Sequence, residues 1–196
     1  EFPEPYINRS IIKVLLGDLY GAISDLELAL KWNPNLDYLY IERGKIREKL
    51  GQYELALDDY NIAISKNENS LLSYFNRAAL KWNILNNHFA SDLSTNISEI
   101  IDDYDKCIEI YPNYLEARTN RARAILLGLT GQETYHLIYT AINDINVSLA
   151  YIDDYQFTTD IPLKFFKLMN LDTRAVLNFN IGNYSSVISD ADEVIQ

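Results

Sequence analysis

Apolar residues recur along this chain at i, i+3, i+4 spacing almost throughout, as in Ala22-Ile23, Leu26 and Ala29-Leu30, and again in Ala56-Leu57, Tyr60 and Ala63-Ile64. That is the period of an amphipathic α-helix. No segment alternates apolar and polar residues long enough to make a strand. Gly51 reads as a turn between two helices, one over about residues 36–50 and one over about residues 53–66. Asn67-Glu68-Asn69-Ser70 then breaks the pattern before a new helix opens at Leu71. The pattern predicts pairs of helices, all packed on their apolar faces.

A second regularity rides on the first. Arg9 precedes Asp25 by 16 residues, Arg43 precedes Asp59 by 16, and Arg174 precedes Asp190 by 16. Arg77–Asp103 and Arg121–Asp144 are spaced by 26 and 23, and fit the same frame if 10 and 7 residues are inserted. A period that keeps opposite charges in register marks a repeat array. In each repeat the Arg falls on the first helix and the Asp on the second, so the pair is expected to join the two, bidentate where geometry permits. We read this ladder as structural.

The residues at fixed offsets resemble the tetratricopeptide repeat, a helix pair of 34 residues. Gly17-Asp18-Leu19-Tyr20-Gly21-Ala22 resembles that family's turn into its second helix, and Ala29 followed by Asn33-Pro34-Asn35 resembles its ending. The next repeat supplies Tyr40, Gly44, Gly51, Tyr53, Ala56, Tyr60 and Ala63 at signature offsets. Gly44 and Ala56 are small where two helices cross, Tyr40 and Tyr60 fill the space beside them, and Pro34 stops a helix because it cannot donate the next hydrogen bond. The third repeat begins with Tyr74, Arg77 and Ala78, then departs, with about ten extra residues around 86–96 before Tyr104, Cys107 and Pro112. The fourth has Arg121, Ala122, Gly131, Ala141 and Ser148; the fifth has Arg174, Ala175, Gly182, Tyr184 and Val187. The resemblance therefore implies an all-α, right-handed α-α superhelix. It would form one domain over residues 1–196, with five helix-turn-helix repeats at about 3–36, 37–70, 71–114, 115–167 and 168–196. Repeats three and four carry insertions. The Asn-Arg-Ala runs at Asn76 and Asn120 are similar to those of bacterial members. A polar capping helix is expected at the end of a solenoid, and none is recognised here. The chain is accordingly expected to be part of a longer one, or to have its end covered by a partner or a second copy.

Composition narrows the chemistry. Seven Gly and five Pro in 196 residues are too few for the turns of an all-β protein. A net charge of −11 disfavours nucleic acid and anionic membrane, whose phosphates need basic neutralisation. No run of 18 apolar residues is present for a membrane span. The chain begins at Glu1, so the lack of a leader settles nothing. One cysteine excludes an internal disulfide and leaves the compartment open, with the cytoplasm the simplest expectation. Cys107 stands where earlier repeats have Ala29 and Ala63, which reads as a small buried thiol. His88 and His136 belong to no metal-ligand spacing, no phosphate-binding glycine motif occurs, and the acidic run around Asp103 is helical. No cofactor, no metal and no catalytic set is expected. The four Asn-X-Ser sequons, at Asn8, Asn96, Asn146 and Asn183, are read as chance in an Asn-rich chain.

What remains is binding. In the tetratricopeptide family the first helix of each repeat faces the concave groove. Carried onto this chain, the groove set is Tyr38, Ile41, Lys45, Phe75, Asn76, Ala79, Trp82, Thr119, Asn120 and Arg123. Phe75 and Trp82 are two helical turns apart and share a face, which either opens on the groove or packs against the next repeat or under the insert after Asn86. Some co-chaperones of this family hold a C-terminal Glu-Glu-Val-Asp peptide in a Lys/Asn/Arg clamp. Asn76 and Asn120 match its central Asn, but Glu116 stands where the basic partner is needed and Glu42 where another Asn is, so that clamp is not expected. The function expected is a non-catalytic protein-protein interaction scaffold with a peptide or helix in the groove. Alternatives are a chaperone or secretion adaptor, self-assembly through the ends, and a docking module of a larger enzyme.

Overall fold

The computed structural model describes residues 2–87, 96–129, 135–154 and 161–195. These residues form ten α-helices, divided between two compact units, Glu1–Thr95 and Asn96–Gln196. In the N-terminal unit α1 (Glu4–Leu15), α2 (Leu19–Trp32), α3 (Asp37–Lys49), α4 (Tyr53–Lys66) and α5 (Leu71–Asn87) pack each against the next. In the C-terminal unit α6 (Ile97–Ile110), α7 (Leu115–Leu127), α8 (Tyr135–Asp154), α9 (Ile161–Asn180) and α10 (Tyr184–Ile195) do the same. The architecture is all-α, built from antiparallel helix pairs. α8 and α9 have 20 residues each, so residues 151–154 and 161–167, outside the regular pattern in sequence, simply lengthen helices. His88, Gly131 and residues 88–95 and 155–160 of the expected insertions lie outside the described residues.

The turn inside a repeat is set by one glycine. Gly17, Gly51 and Gly182 each stand eight residues after a ladder Arg and have φ of 82°, 73° and 74°. Side chains other than Gly resist that left-handed conformation. It lets the next residue's N–H fold back on the helix: Asp18 N donates to Lys13 O, Gln52 N to Arg47 O and Asn183 N to Asn178 O, each at 2.9 Å. This is a Schellman ending. It aims the second helix back along the first.

Packing then repeats by position. On second helices the residues one and four after the ladder Asp are buried: Leu26 and Ala29, Tyr60 and Ala63, Tyr104 and Cys107, Ile145 and Ser148. On first helices the residues four before and three after the ladder Arg are buried: Leu39 and Ile46, Ser73 and Leu80, Ala117 and Ala124, Asn170 and Leu177. A first helix thus lays a two-turn stripe on the second helix before it. Immediately after the ladder Arg comes a small residue. At Gly44 an added Cβ would stand 2.7 Å from Cε1 of the buried Tyr60, so only glycine admits that ring.

Candidate functional site

The ladder is the most ordered polar feature of both units. Arg9 Nε and Nη2 donate to Asp25 at 2.8 and 2.5 Å. Arg43 Nη2 reaches Asp59 at 2.6 Å, Arg121 Nε and Nη2 reach Asp144 at 2.7 and 2.8 Å, and Arg174 Nη2 reaches Asp190 at 2.6 Å. All four carboxylates are buried. Arg77 belongs to the N-terminal unit and Asp103, also buried, to the C-terminal one.

Two features of the ladder were not anticipated. First, three of the carboxylates take a second cation: Lys13 on Asp25 at 2.9 Å, Arg47 on Asp59 at 2.8 Å, and Arg118 on Asp144 at 2.7 Å. Lys13 and Arg47 lie one helical turn after the ladder Arg, and Arg118 one turn before it, so all were within reach in the sequence. The Arg9 guanidinium, helped by Lys13, holds the Asp25 carboxyl down at about 2. Second, four of the ladder Arg residues reach back to the preceding repeat. Arg77 Nη1 donates to Asn61 at 2.6 Å, Arg174 Nη1 to Asn146 at 2.7 Å, and Arg121 Nη1 to Asp105; Arg43 Nη1 lies 3.9 Å from Glu27. Each acceptor stands two residues after the preceding ladder Asp. One guanidinium therefore bolts its own helix pair together and ties it to the pair before.

The N-terminal unit carries a cleft of about 620 Å³ over α1, α3 and α5. Glu42, Lys45, Glu48 and Lys49 of α3 line it, with Asn76 and Asn83 of α5, and Val14, Ile46 and Tyr53 supply apolar surface. Lys45 is paired with Glu42 at 2.9 Å. The Tyr60 hydroxyl donates to Glu48 Oε2 at 3.2 Å. Burial pushes the Glu48 carboxyl up, against the pull of its bonds to Tyr60 and Asn83. Asn76 Nδ2 turns back onto Leu72 O at 2.7 Å. Lys49 has no carboxylate partner among the described residues. The C-terminal unit has a smaller, polar cleft of about 300 Å³ around Asn146, Asn178 and Asn183. Its cation, Arg174, is already bonded to Asp190 and Asn146.

Of the groove set expected from sequence, Lys45 and Asn76 line the larger cleft. Tyr38 is exposed, and Phe75, Ala79 and Trp82 are half-buried on α5, but none of the four lines it. Ile41 and Thr119 need correction. Ile41 is 3% exposed and packs with Tyr60, Leu80 and Ile84. Thr119 is 1% exposed, and its hydroxyl donates to Asn170 at 2.9 Å. Both stand three residues before the small crossing residue, one turn along the same face, and are buried with it. Asn120 is held by Tyr104, and Arg123 is half-buried nearby in the same unit. Lys49 and Asn83 were missed. Each stands seven residues after a polar residue already on that face, Glu42 and Asn76, and that two-turn spacing was the available signal. Cys107 is fully buried, which pushes its thiol up to about 12. Among the described residues no group of three His, Cys, Asp or Glu is placed to hold a metal, and no helix is long and apolar enough to cross a membrane.

A family model described as tetratricopeptide repeat matches residues 3–36. A tetratricopeptide repeat protein from Parabacteroides merdae superposes with a TM-score of 0.72 at 21% identity, over 98% of this chain and 65% of that one. The chain has the tetratricopeptide-repeat fold. MamA from Desulfovibrio magneticus matches as well, with a TM-score of 0.71 at 11% identity over 98% of this chain and 93% of that one. The first tetratricopeptide-repeat domain of Spaghetti (RPAP3), solved bound to the HSP90 peptide SRMEEVD, matches with a TM-score of 0.55 at 18% identity, over 64% of this chain and 94% of that one. No curated protein matches the sequence.

Proposed function

We propose that this chain is a non-catalytic scaffold for protein interaction, and that the cleft over α1, α3 and α5 holds an extended, carboxylate-bearing segment of a partner. The fold supports the general reading, since a tetratricopeptide domain of the same architecture has been solved with a peptide bound. The observation that carries the specific one is Lys49, a cation without a carboxylate partner among the described residues, in a cleft whose other charges are already paired or hydrogen-bonded. The dimensions suit an extended chain. Asn76 and Asn83 are two helical turns apart, about 10 Å. An extended peptide covers that distance in about three residues. Asn76, with Nδ2 held by the backbone, offers Oδ1 to a peptide N–H. Val14, Ile46 and Tyr53 offer a neighbouring side chain an apolar surface. The mode differs from the co-chaperone clamp, since α3 presents Glu42 at the position where that clamp needs an amide.

Selection from a random peptide library against the purified chain tests this. Enriched sequences are expected to share an acidic residue and to lose at least about tenfold in affinity for Lys49→Glu. The exposure of Lys49 makes that variant safe for folding, which circular dichroism would check. Ligands without a carboxylate, or equal affinity for the variant, would remove the cleft as the site.

A further inference from the structure

Asp25, Asp59 and Asp144 each carry a second cation, and Asp190 does not. On Asp25 and Asp59 that cation stands four residues after the ladder Arg, as Lys13 and Arg47; on Asp144 it stands three before, as Arg118. The residues at those places for Asp190 are Asn178 and Leu171, both neutral. Among the described residues Arg174 is the one cation on Asp190, a carboxylate only 2% exposed. Arg174 engages it as Arg43 engages Asp59, with Nε on both oxygens and Nη2 on Oδ1. Oδ2 of Asp59 then also takes Arg47 Nη1 at 2.8 Å. Oδ2 of Asp190 takes no further bond among the described residues. The second cation has a further acceptor in the frame, the carbonyl four residues before the ladder Asp: Lys13 Nζ donates to Gly21 O at 3.1 Å and Arg47 Nη1 to Leu55 O at 3.3 Å. On α10 that place is Ser186. With a short side chain at 178, space is left where the second cation stands in other repeats. The cleft of about 300 Å³ occupies that space, since Asn178, Ser186 and Asp190 all line it. Asn146 and Ser189, also in its lining, are exposed, so it is reached from solvent.

We propose that the cleft over α8, α9 and α10 binds a guanidinium group from outside the chain, which takes on Asp190 the place that Arg47 takes on Asp59. A carboxylate has about four lone-pair sites, so the bonds from Arg174 leave room for another donor. Two of the three second cations in the chain are guanidiniums, and a planar fork can bond Asp190 Oδ2 and a neighbouring carbonyl or amide oxygen together. Asn178 Oδ1, which accepts from Asn183 at 3.1 Å, is such an oxygen. The surplus of acidic residues in this unit favours a cation over any anion. The site thus wants the opposite charge from the cleft over α1, α3 and α5, and stands or falls without it. An arginine of another protein and a free guanidino compound carry the same group.

Ethylguanidinium is the probe, titrated at millimolar concentrations into the nitrogen-15-labelled chain while the side-chain amide signals of Asn146, Asn178 and Asn183 are followed by NMR. Saturable shifts of these signals are expected. Ethylurea, a neutral molecule of similar shape, should bind about tenfold more weakly, because it lacks the charge that strengthens hydrogen bonds to a carboxylate. Asn178→Lys supplies the missing cation from within, as Lys13 does, and should weaken ethylguanidinium binding by at least about tenfold. Asn146→Asp alters an exposed position, so it keeps the test available if the first variant does not fold. It adds a negative charge beside the site and should tighten binding about threefold. A capped Gly-Arg-Gly peptide separates the two sources: tighter binding than ethylguanidinium assigns the group to a protein's arginine, and equal or weaker binding assigns it to a free compound. Shifts that do not saturate overturn the proposal. So does ethylurea binding as well as ethylguanidinium, or unchanged affinity in either folded variant.

Discussion

The two units share a frame and fill it differently. In the N-terminal unit a tyrosine stands three residues before each ladder Arg, and the guanidinium lies over its ring: Arg9 on Tyr6, Arg43 on Tyr40 and Arg77 on Tyr74, at 5.4 to 5.6 Å. In the C-terminal unit that position holds Arg118 and Leu171. Arg118 adds a second cation to Asp144. The contact between successive first helices changes as well. Two residues before the ladder Arg, α3 places an apolar side chain, Ile41, in a cluster with Leu80 and Ile84 of α5. Between α7 and α9 that position makes a buried hydrogen bond, Thr119 to Asn170. Acidity is uneven too: 13 acidic and 10 basic residues in the first unit, 15 and 7 in the second. The shared minimum is thus the bidentate Arg–Asp pair with its reach-back acceptor. A tyrosine under the ladder guanidinium, three residues before it, is an embellishment of the first unit.

If the ladder is that minimum, removing its carboxylate should injure both units alike. Asp59→Ala strands Arg43 and Arg47, and Asp144→Ala strands Arg118 and Arg121, all four guanidiniums being at most 14% exposed. Breaking a buried pair from one side costs about 3–5 kcal/mol. Hydrogen exchange is the suitable measurement, since each unit can lose protection by itself. Asp59→Ala should deprotect α3 to α5, and Asp144→Ala should deprotect α7 to α9, by similar amounts. A mild effect in the first unit alone would mean that the tyrosine under each of its ladder guanidiniums carries its register.

The next contrast is steric. Gly44→Ala brings a Cβ to 2.7 Å from the Tyr60 ring, which is buried and bonded to Glu48. The ring cannot retreat, and overpacking of that kind costs about 1–3 kcal/mol. Gly128→Ala brings its Cβ to 2.8 Å from Cγ2 of Ile97, the half-buried first residue of α6. A helix's first turn frays and can shift, so the loss should stay below about 1 kcal/mol. Thermal melts of the two variants separate them. Equal losses would show that Ile97 is held as firmly as Tyr60.

This contrast also bears on what the sequence could disclose. The helix pairs, the turn glycines and the Arg–Asp partners follow from spacing, because a constant period along the chain becomes a constant direction in space. Gly44 was readable as a crossing residue, since a small residue in a fixed frame has few other uses. The reach-back acceptors were harder. Glu27, Asn61, Asp105 and Asn146 share a position but not a residue type, and any oxygen can accept the bond. The groove was read least well, for a definite reason. Helical period tells which residues share a face, but how wide a strip the neighbouring helix covers depends on how closely the two approach. Ile41 and Thr119 fell just inside that strip, whereas Lys49, a turn past Lys45, and Asn83, next to Trp82, fell outside it and reached the cleft.

Those two covered positions give the smallest and most specific test. Thr119 and Ile41 are equivalent in register, yet one is bonded and the other packed. Asn170 accepts from Thr119 through Oδ1, while its Nδ2 is buried without a partner among the described residues. Thr119→Val removes the one hydrogen bond and leaves both ends of a buried amide unpaired. An orphaned buried polar atom costs about 1–3 kcal/mol. Ile41→Val removes one methylene from an apolar cluster and costs about 0.5–1.5 kcal/mol. Adding Asn170→Leu should distinguish the two readings of the polar contact. If the hydrogen bond merely offsets the cost of burying its own groups, the double variant recovers most of what Thr119→Val lost, because nothing polar is left stranded. If the pair instead holds α7 and α9 in a register that apolar side chains cannot specify, the double variant melts as high as wild type but exchanges the amides of α9 faster.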